Sequence, residues 1–116
     1  MSEFIDILLK YKKEREEVLN NIDNYLLKIK ESVRELDPDA RVLLFGSYVR
    51  GNFKPDSDID ILVISDKYGA NVDMMAKMNA HILIKLNVFG IFEIHITTRK
   101  MYEEWFKKFI DVYREI

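Results

Sequence analysis

The chain has 116 residues, 48% of them hydrophobic and 33% charged, with a net charge of −2 at pH 7. That length and balance fit one soluble globular domain with a single modest core, and exclude a disordered or fibrous chain. With no cysteine there is no disulfide, thiolate zinc site or cysteine nucleophile. No apolar run approaches the ~18 residues of a membrane span. The start, Met1-Ser2-Glu3-Phe4-Ile5-Asp6, lacks the basic and apolar blocks of an export signal, so a cytoplasmic location is expected. The acidic balance and the lack of a basic stripe interleaved with aromatics argue against direct nucleic-acid binding.

Residues 3–36 read as helical, with Val18, Ile22, Tyr25, Ile29, Val33 and Leu36 on one face. Phe4, Ile7, Leu8 and Tyr11 make a second stripe, and Asn20-Asn21 can bend or break the run. Packing on a sheet is the ordinary use of such faces; the sharper reading is a first half that projects and docks a partner or a second copy. Asp37-Pro38-Asp39 ends the segment, because a residue before proline disfavours helix. Strands are expected at 41–46 and 58–64, a helix from Val72 to about Leu86, and a third strand from Ile91 to Thr97. In that strand Phe92, Ile94 and Ile96 face one way and Glu93 and His95 the other. Thr98 is placed to cap a last helix over 98–116, carrying Tyr102, Trp105, Phe106, Phe109, Ile110, Val112 and Tyr113. This aromatic face is wider than a small sheet needs and is read as core or interface. The fold class is therefore α/β (α+β): a small mixed sheet with helices packed on it.

The chemistry concentrates between residues 44 and 64. Asp58 and Asp60, one residue apart at the head of an apolar strand, point to one face while Ile59, Ile61 and Val63 point to the other. Two adjacent anions repel, and a divalent cation between them is the usual remedy. Upstream, Gly46 can adopt backbone angles closed to other residues and lets a ligand approach the main chain. Ser47 then stands in a first helical turn that suits phosphate. Arg50 can meet a phosphate oxygen with its forked donors, although an exposed arginine also makes ordinary surface ion pairs. Lys54 is a weaker phosphate candidate. Glu93 is the acid within the third strand, with Asp56 or Asp73 as substitutes, and His95 shares its face. His95 and His81 read more simply as satisfied or partly exposed histidines. Met74, Met75 and Met78 read as packing.

Gly46-Ser47, ten intervening residues and Asp58-Ile59-Asp60 between hydrophobic flanks resemble the signature of the DNA polymerase beta-like nucleotidyltransferase superfamily. The likeness spans Val42 to Ile96 and is nearest to the stand-alone minimal members often encoded with a HEPN-domain partner. Arg50-Gly51 and Ser57 also sit where that family has Arg-Gly and a serine. Tyr48 departs from it, since a smaller or basic residue is common there, and is expected to narrow the phosphate pocket.

The resemblance implies Asp58, Asp60 and Glu93 as catalytic metal ligands for two Mg²⁺ (or Mn²⁺) ions. It also implies Gly46, Ser47 and Arg50 as nucleotide-binding residues, with ATP or another nucleoside triphosphate as substrate. It further implies an antitoxin that adenylylates a tyrosine on a HEPN-domain partner; the projecting helix separately leaves a homodimer open. Two other readings stay open: a non-catalytic binding antitoxin, and a small-molecule nucleotidyltransferase.

Overall fold

The computed structural model describes residues 2–116. Helix α1, Glu3–Asn20, starts at Ser2, whose hydroxyl accepts the Ile5 N–H at 3.3 Å. The expected break falls at Asn21, which leaves helical angles (φ −124°, ψ 31°) and turns its side-chain amide back to the Glu17 carbonyl. Helix α2, Ile22–Leu36, then buries Leu26, Ile29 and Val33. It ends at Leu36, with Asp37 as its C-cap, and the chain enters strand β1, Arg41–Phe45, by way of the Pro38-Asp39 turn. A one-turn helix α3, Ser47–Arg50, follows, then strand β2, Ile59–Ile64. Helix α4, Val72–Leu86, is capped by the Asn71 side chain and ends on Asn87 in the left-handed region. Strand β3 is Phe92–Thr97 and helix α5 is Arg99–Glu104. A 3₁₀ turn, Phe106–Lys108, and strand β4, Tyr113–Glu115, complete the described chain.

The strands form one sheet in the order β3-β2-β1-β4. β1 runs antiparallel to both β2 and β4, while β2 and β3 are parallel, joined by the α4 crossover. Alternation along the strands sorts the side chains into two layers. Val42, Leu44, Ile59, Ile61 and Val63 pack with Val18, Ile29, Val33, Met78 and Ile82 of the long helices. On the other face Leu43, Leu62 and Ile64 cluster with Tyr102 and Ile110, with Phe45 and Phe106 packed at the margin. The short α5 covers less than the sheet offers, so part of this face stays open.

The helix expected over 98–116 is corrected. Thr98 does cap it, accepting the Met101 N–H at 3.2 Å, but α5 stops at Glu104. Trp105 leaves helical angles (φ −131°, ψ −60°), and the chain returns as β4. The reason is long-range: β1 would otherwise present an open edge. Residues Tyr113–Glu115 fill that edge, opposite Phe45, Leu44 and Leu43. A bidentate Arg41–Glu115 pair locks the register and holds the glutamate carboxyl below its ordinary range through that hydrogen bond.

One contact fixes α1 to the functional loop. Arg15 is 7% exposed. Its Nε donates to the Pro55 carbonyl at 2.6 Å, and its guanidinium lies 5.8 Å from the Phe53 ring centroid. One terminal nitrogen is buried without a partner, and the Pro55 bond adds to the hydrogen bonds that the 51–58 loop makes within itself and to Ser47. Arg15→Ala is expected to lower stability by about 1.5–3 kcal/mol, the range for a charged hydrogen bond, read by urea denaturation. A loss under a few tenths would mean that the loop is held otherwise.

Candidate active site

The parallel pairing of β2 and β3 sets Asp60 directly beside Glu93, and Leu62 beside His95. All of these point to the open face of the sheet, because same-face neighbours alternate. One ligand atom each from Asp60, Glu93 and His95 lies within 4.8 Å of the other two. His95 Nε2 is 3.4 Å from Glu93 Oε1, and its ring lies 6.0 Å, centroid to centroid, from that of Phe45.

Asp60 is half-buried, and that burial, followed by the Glu93 charge, pushes its carboxyl up to about 6; His95 works the other way, and Asp58 adds to the rise. A carboxylate pair this unfavourable alone, with an imidazole beside it, is a donor set that fits a hard or borderline divalent cation such as Mg²⁺ or Mn²⁺.

The bend above the carboxylates is made by glycine for two reasons. Gly46 has φ +83°, in the region that L side chains rarely adopt. A Cβ there would also collide with Oδ2 of Asp60. Backbone and carboxylate therefore touch at the point where Phe45 pairs with Asp60. Ser47 opens α3 next to this contact. Gly46, Ser47, Arg50, Asp60, Glu93 and His95 share one cleft of about 490 Å³ with Trp105, Phe106, Phe109 and Ile110. Arg50 is exposed and lies 3.7 Å from Asp111, a loose surface pair.

Asp58 stands differently from expectation. β2 begins at Ile59, whose N–H bonds the Ile91 carbonyl, so Asp58 sits in the incoming loop, exposed and outside the strand pleat. It is not among the three converging groups, although its charge reaches Asp60. His95, set aside in the sequence, takes the third place. Tyr48 does not narrow the cleft: its ring packs edge-on against Phe53 at 5.4 Å, among residues packed on the helical core. Lys54, Asp56 and Asp73 are exposed, and His81 faces Glu35 at 3.7 Å. Trp105 and Phe109 are residues the sequence reading missed as cleft walls. The only signal was their size and number.

A cleft of about 520 Å³ lies at the opposite end of β1 and β2, lined by Asp37, Asp39, Arg41, Ser65, Asp66, Lys67 and Arg99. Two of its acids already serve the fold. Asp37 accepts the Ser65 hydroxyl at 2.6 Å, and Asp66 accepts the Arg99 N–H at 2.8 Å. Its basic and acidic side chains are interspersed, so the Asp60 cleft is the better site for an anionic substrate with a cation.

A mixed sheet carrying paired carboxylates beneath a glycine bend defines a small α+β domain with a candidate cation-binding cleft. The comparisons specify it. The Nucleotidyltransferase domain model matches residues 26–114, and the chain belongs to that family, among its minimal members. A provisionally named protein adenylyltransferase of Methanocaldococcus jannaschii, MJ0604, is 37% identical over 65 residues, covering 52% of this chain and 62% of that protein. The protein adenylyltransferase MntA of Thermococcus cleftensis is 47% identical over 45 residues, covering 39% of this chain and 46% of that protein. The matched part thus spans less than two thirds of either relative. A crystal structure of a provisionally named nucleotidyltransferase superposes with a TM-score of 0.65 at 32% identity, covering 78% of this chain and 96% of that one. A second, from Sulfolobus solfataricus, shares the fold with a TM-score of 0.61 at 21% identity, covering 87% and 84%.

Two predictions follow from this geometry. Gly46→Ala is expected to displace Asp60 and to weaken Mn²⁺ binding at least about tenfold, as disturbing a ligand's support does; calorimetric titration reads this, and unchanged affinity would show that the bend and the carboxylate are independent. The second concerns pH. A carboxyl raised from 3.8 to about 6 contributes stability that is complete below its unfolded value and lost as pH rises through its folded value. In EDTA the wild type should therefore lose stability between about pH 4 and pH 6 relative to Asp60→Asn. Denaturation midpoints across that range test this; parallel profiles for the two proteins would refute it.

Proposed function

We propose that the chain is a metal-dependent nucleotidyltransferase that moves a nucleoside monophosphate, AMP from ATP, onto an acceptor hydroxyl. The observation that carries this reading is the Asp60–Glu93 pair, adjacent in register, with Asp60 lying against the Gly46 bend. Asp60 and Glu93 would hold the cation, and Asp58, one residue outside the pleat, would swing in to complete the set for a second ion. Bound Mg²⁺ supplies charge neutralisation at the transferring phosphate and the leaving pyrophosphate.

The protein groups do the rest. Backbone N–H groups at Gly46-Ser47 and the Ser47 hydroxyl bind the β- and γ-phosphates, and Arg50 exchanges its loose Asp111 contact for a phosphate oxygen. His95 braces Glu93. The acceptor oxygen attacks the α-phosphorus in line, the bond to the bridging oxygen breaks, and pyrophosphate leaves. The hydroxyl proton passes to a carboxylate of the cluster, Glu93 being the more exposed.

The acceptor is proposed to be a protein. Both named relatives carry the protein adenylyltransferase name, and the resemblance to HEPN-paired minimal members suggests a tyrosine on a HEPN-domain toxin, with this chain as antitoxin. The N-terminal half of α1 supports a partner. Phe4, Ile7 and Leu8 are 69%, 66% and 49% exposed, although they continue the face that Arg15 and Val18 bury further along. Tyr11, on the same face, anchors this overhang by donating to the Gly90 carbonyl at 2.8 Å.

The test is transfer of label from α-³²P-ATP with Mg²⁺ to the product of the neighbouring gene. Asp60→Asn and Glu93→Gln are each expected to lower transfer at least about a hundredfold, the upper range for a disturbed metal shell. Full turnover by Asp60→Asn, or stoichiometric binding of the neighbour without label, would contradict the proposal.

A further inference from the structure

Two kinds of side chain line the cleft: Ser47, Arg50, Asp60, Glu93 and His95 are charged or polar, while Trp105, Phe106, Phe109 and Ile110 supply an apolar, largely aromatic wall. Trp105 sits where α5 stops and the 3₁₀ turn begins. Phe106 meets it edge-on at 5.1 Å, and Phe109 lies at 4.8 Å with a tilt of 54°. Two rings thus brace the indole, yet Trp105 remains 53% exposed and Phe109 62% exposed. A tryptophan fixed on two sides, half open to water and facing an anionic-ligand site is costly unless something flat covers it.

From this wall we infer a nucleobase subsite: the base of the bound nucleotide stacks on Trp105 and Phe109, while its phosphates lie at the Gly46–Ser47 end. The inference rests on the nucleotidyltransferase reading and adds what that reading leaves open, namely how the base is held and how strictly it is chosen. The cleft volume of about 490 Å³ is within the range of roughly 300–1,000 Å³ that small-ligand sites occupy. The aromatic wall offers a π-face and, apart from the indole N–H, no side-chain donor or acceptor. Stacking of this kind tolerates every base. The site should therefore separate purine from pyrimidine triphosphates by ring area, and adenine from guanine only weakly.

Trp105 is the single tryptophan of the chain, so its fluorescence reports the subsite directly. The experiment titrates the full chain with ATP, GTP, CTP and inorganic tripolyphosphate in Ca²⁺, following emission and, in parallel, calorimetric heat. The inference predicts quenching by all three nucleotides and none by tripolyphosphate, with ATP and GTP affinities within about tenfold of each other. By calorimetry Trp105→Ala should weaken ATP about ten- to a hundredfold, the effect of losing one stacked base. It should leave tripolyphosphate unchanged, and Trp105→Phe should restore most of the loss. ATP binding by calorimetry with no change in emission, or with equal affinity in Trp105→Ala, would overturn the inference and leave the nucleotidyltransferase reading standing. If neither ATP nor tripolyphosphate bound, that reading would fall and the subsite with it. Quenching only on addition of the acceptor protein would assign the wall to the acceptor and overturn the inference as well.

Discussion

The structure turns on one electrostatic constraint: two carboxylates held side by side on parallel strands. Asp60 and Glu93 are register partners on β2 and β3, and the pleat sends both to the open face. Neither can turn away without leaving the sheet, because their neighbours Ile59, Ile61, Phe92 and Ile94 are committed to the opposite layer. Repulsion between them is therefore built in, and it adds to the burial that pushes the Asp60 carboxyl up to about 6. Such a pair weakens the apo protein and favours whatever positive charge binds between the oxygens.

The rest of the fold serves that placement. The long helices pack over one face of the sheet, burying Ile59, Ile61 and Val63 fully and partly covering Phe92, Ile94 and Ile96. The other face is covered only by α5 and the 3₁₀ turn, and the gap between them and β3 is the cleft. Gly46 brings the backbone against Asp60, while Arg15, two helices away in sequence, fixes the loop that delivers Asp58. α1 thus contributes to the site with its inner half and offers an uncovered apolar face with its outer half. This division fits a domain that both reacts and docks.

Much of this was legible in the sequence because it is local. Strand alternation placed Glu93 and His95 on one face, and the Gly46-Ser47 to Asp60 spacing marked the bend and its carboxylate. What could not be read depended on pairing between distant segments. The register that sets Glu93 beside Asp60, and so makes His95 a neighbour of the cluster, exists only once β2 and β3 run parallel. Asp58 looked equivalent to Asp60 because a strand boundary one residue early or late leaves the same alternation, and only the Ile59 bond to Ile91 fixes it. The C-terminal segment misled for a similar reason. Its aromatics are spaced like a helix face, with no glycine or proline to mark the stop at Trp105. The pull that unwinds them is the free edge of β1.

The carboxylates of β2 and β3 beneath the glycine bend form a pocket for a cation. Anomalous diffraction from crystals grown with Mn²⁺ and a non-hydrolysable ATP analogue tests it most directly. The account predicts a manganese peak about 2.0–2.3 Å from carboxylate oxygens of both Asp60 and Glu93, with the triphosphate against Gly46-Ser47. A peak lodged instead among Asp37, Asp39 and Asp66 at the far end of the sheet, with none at Asp60, would contradict it.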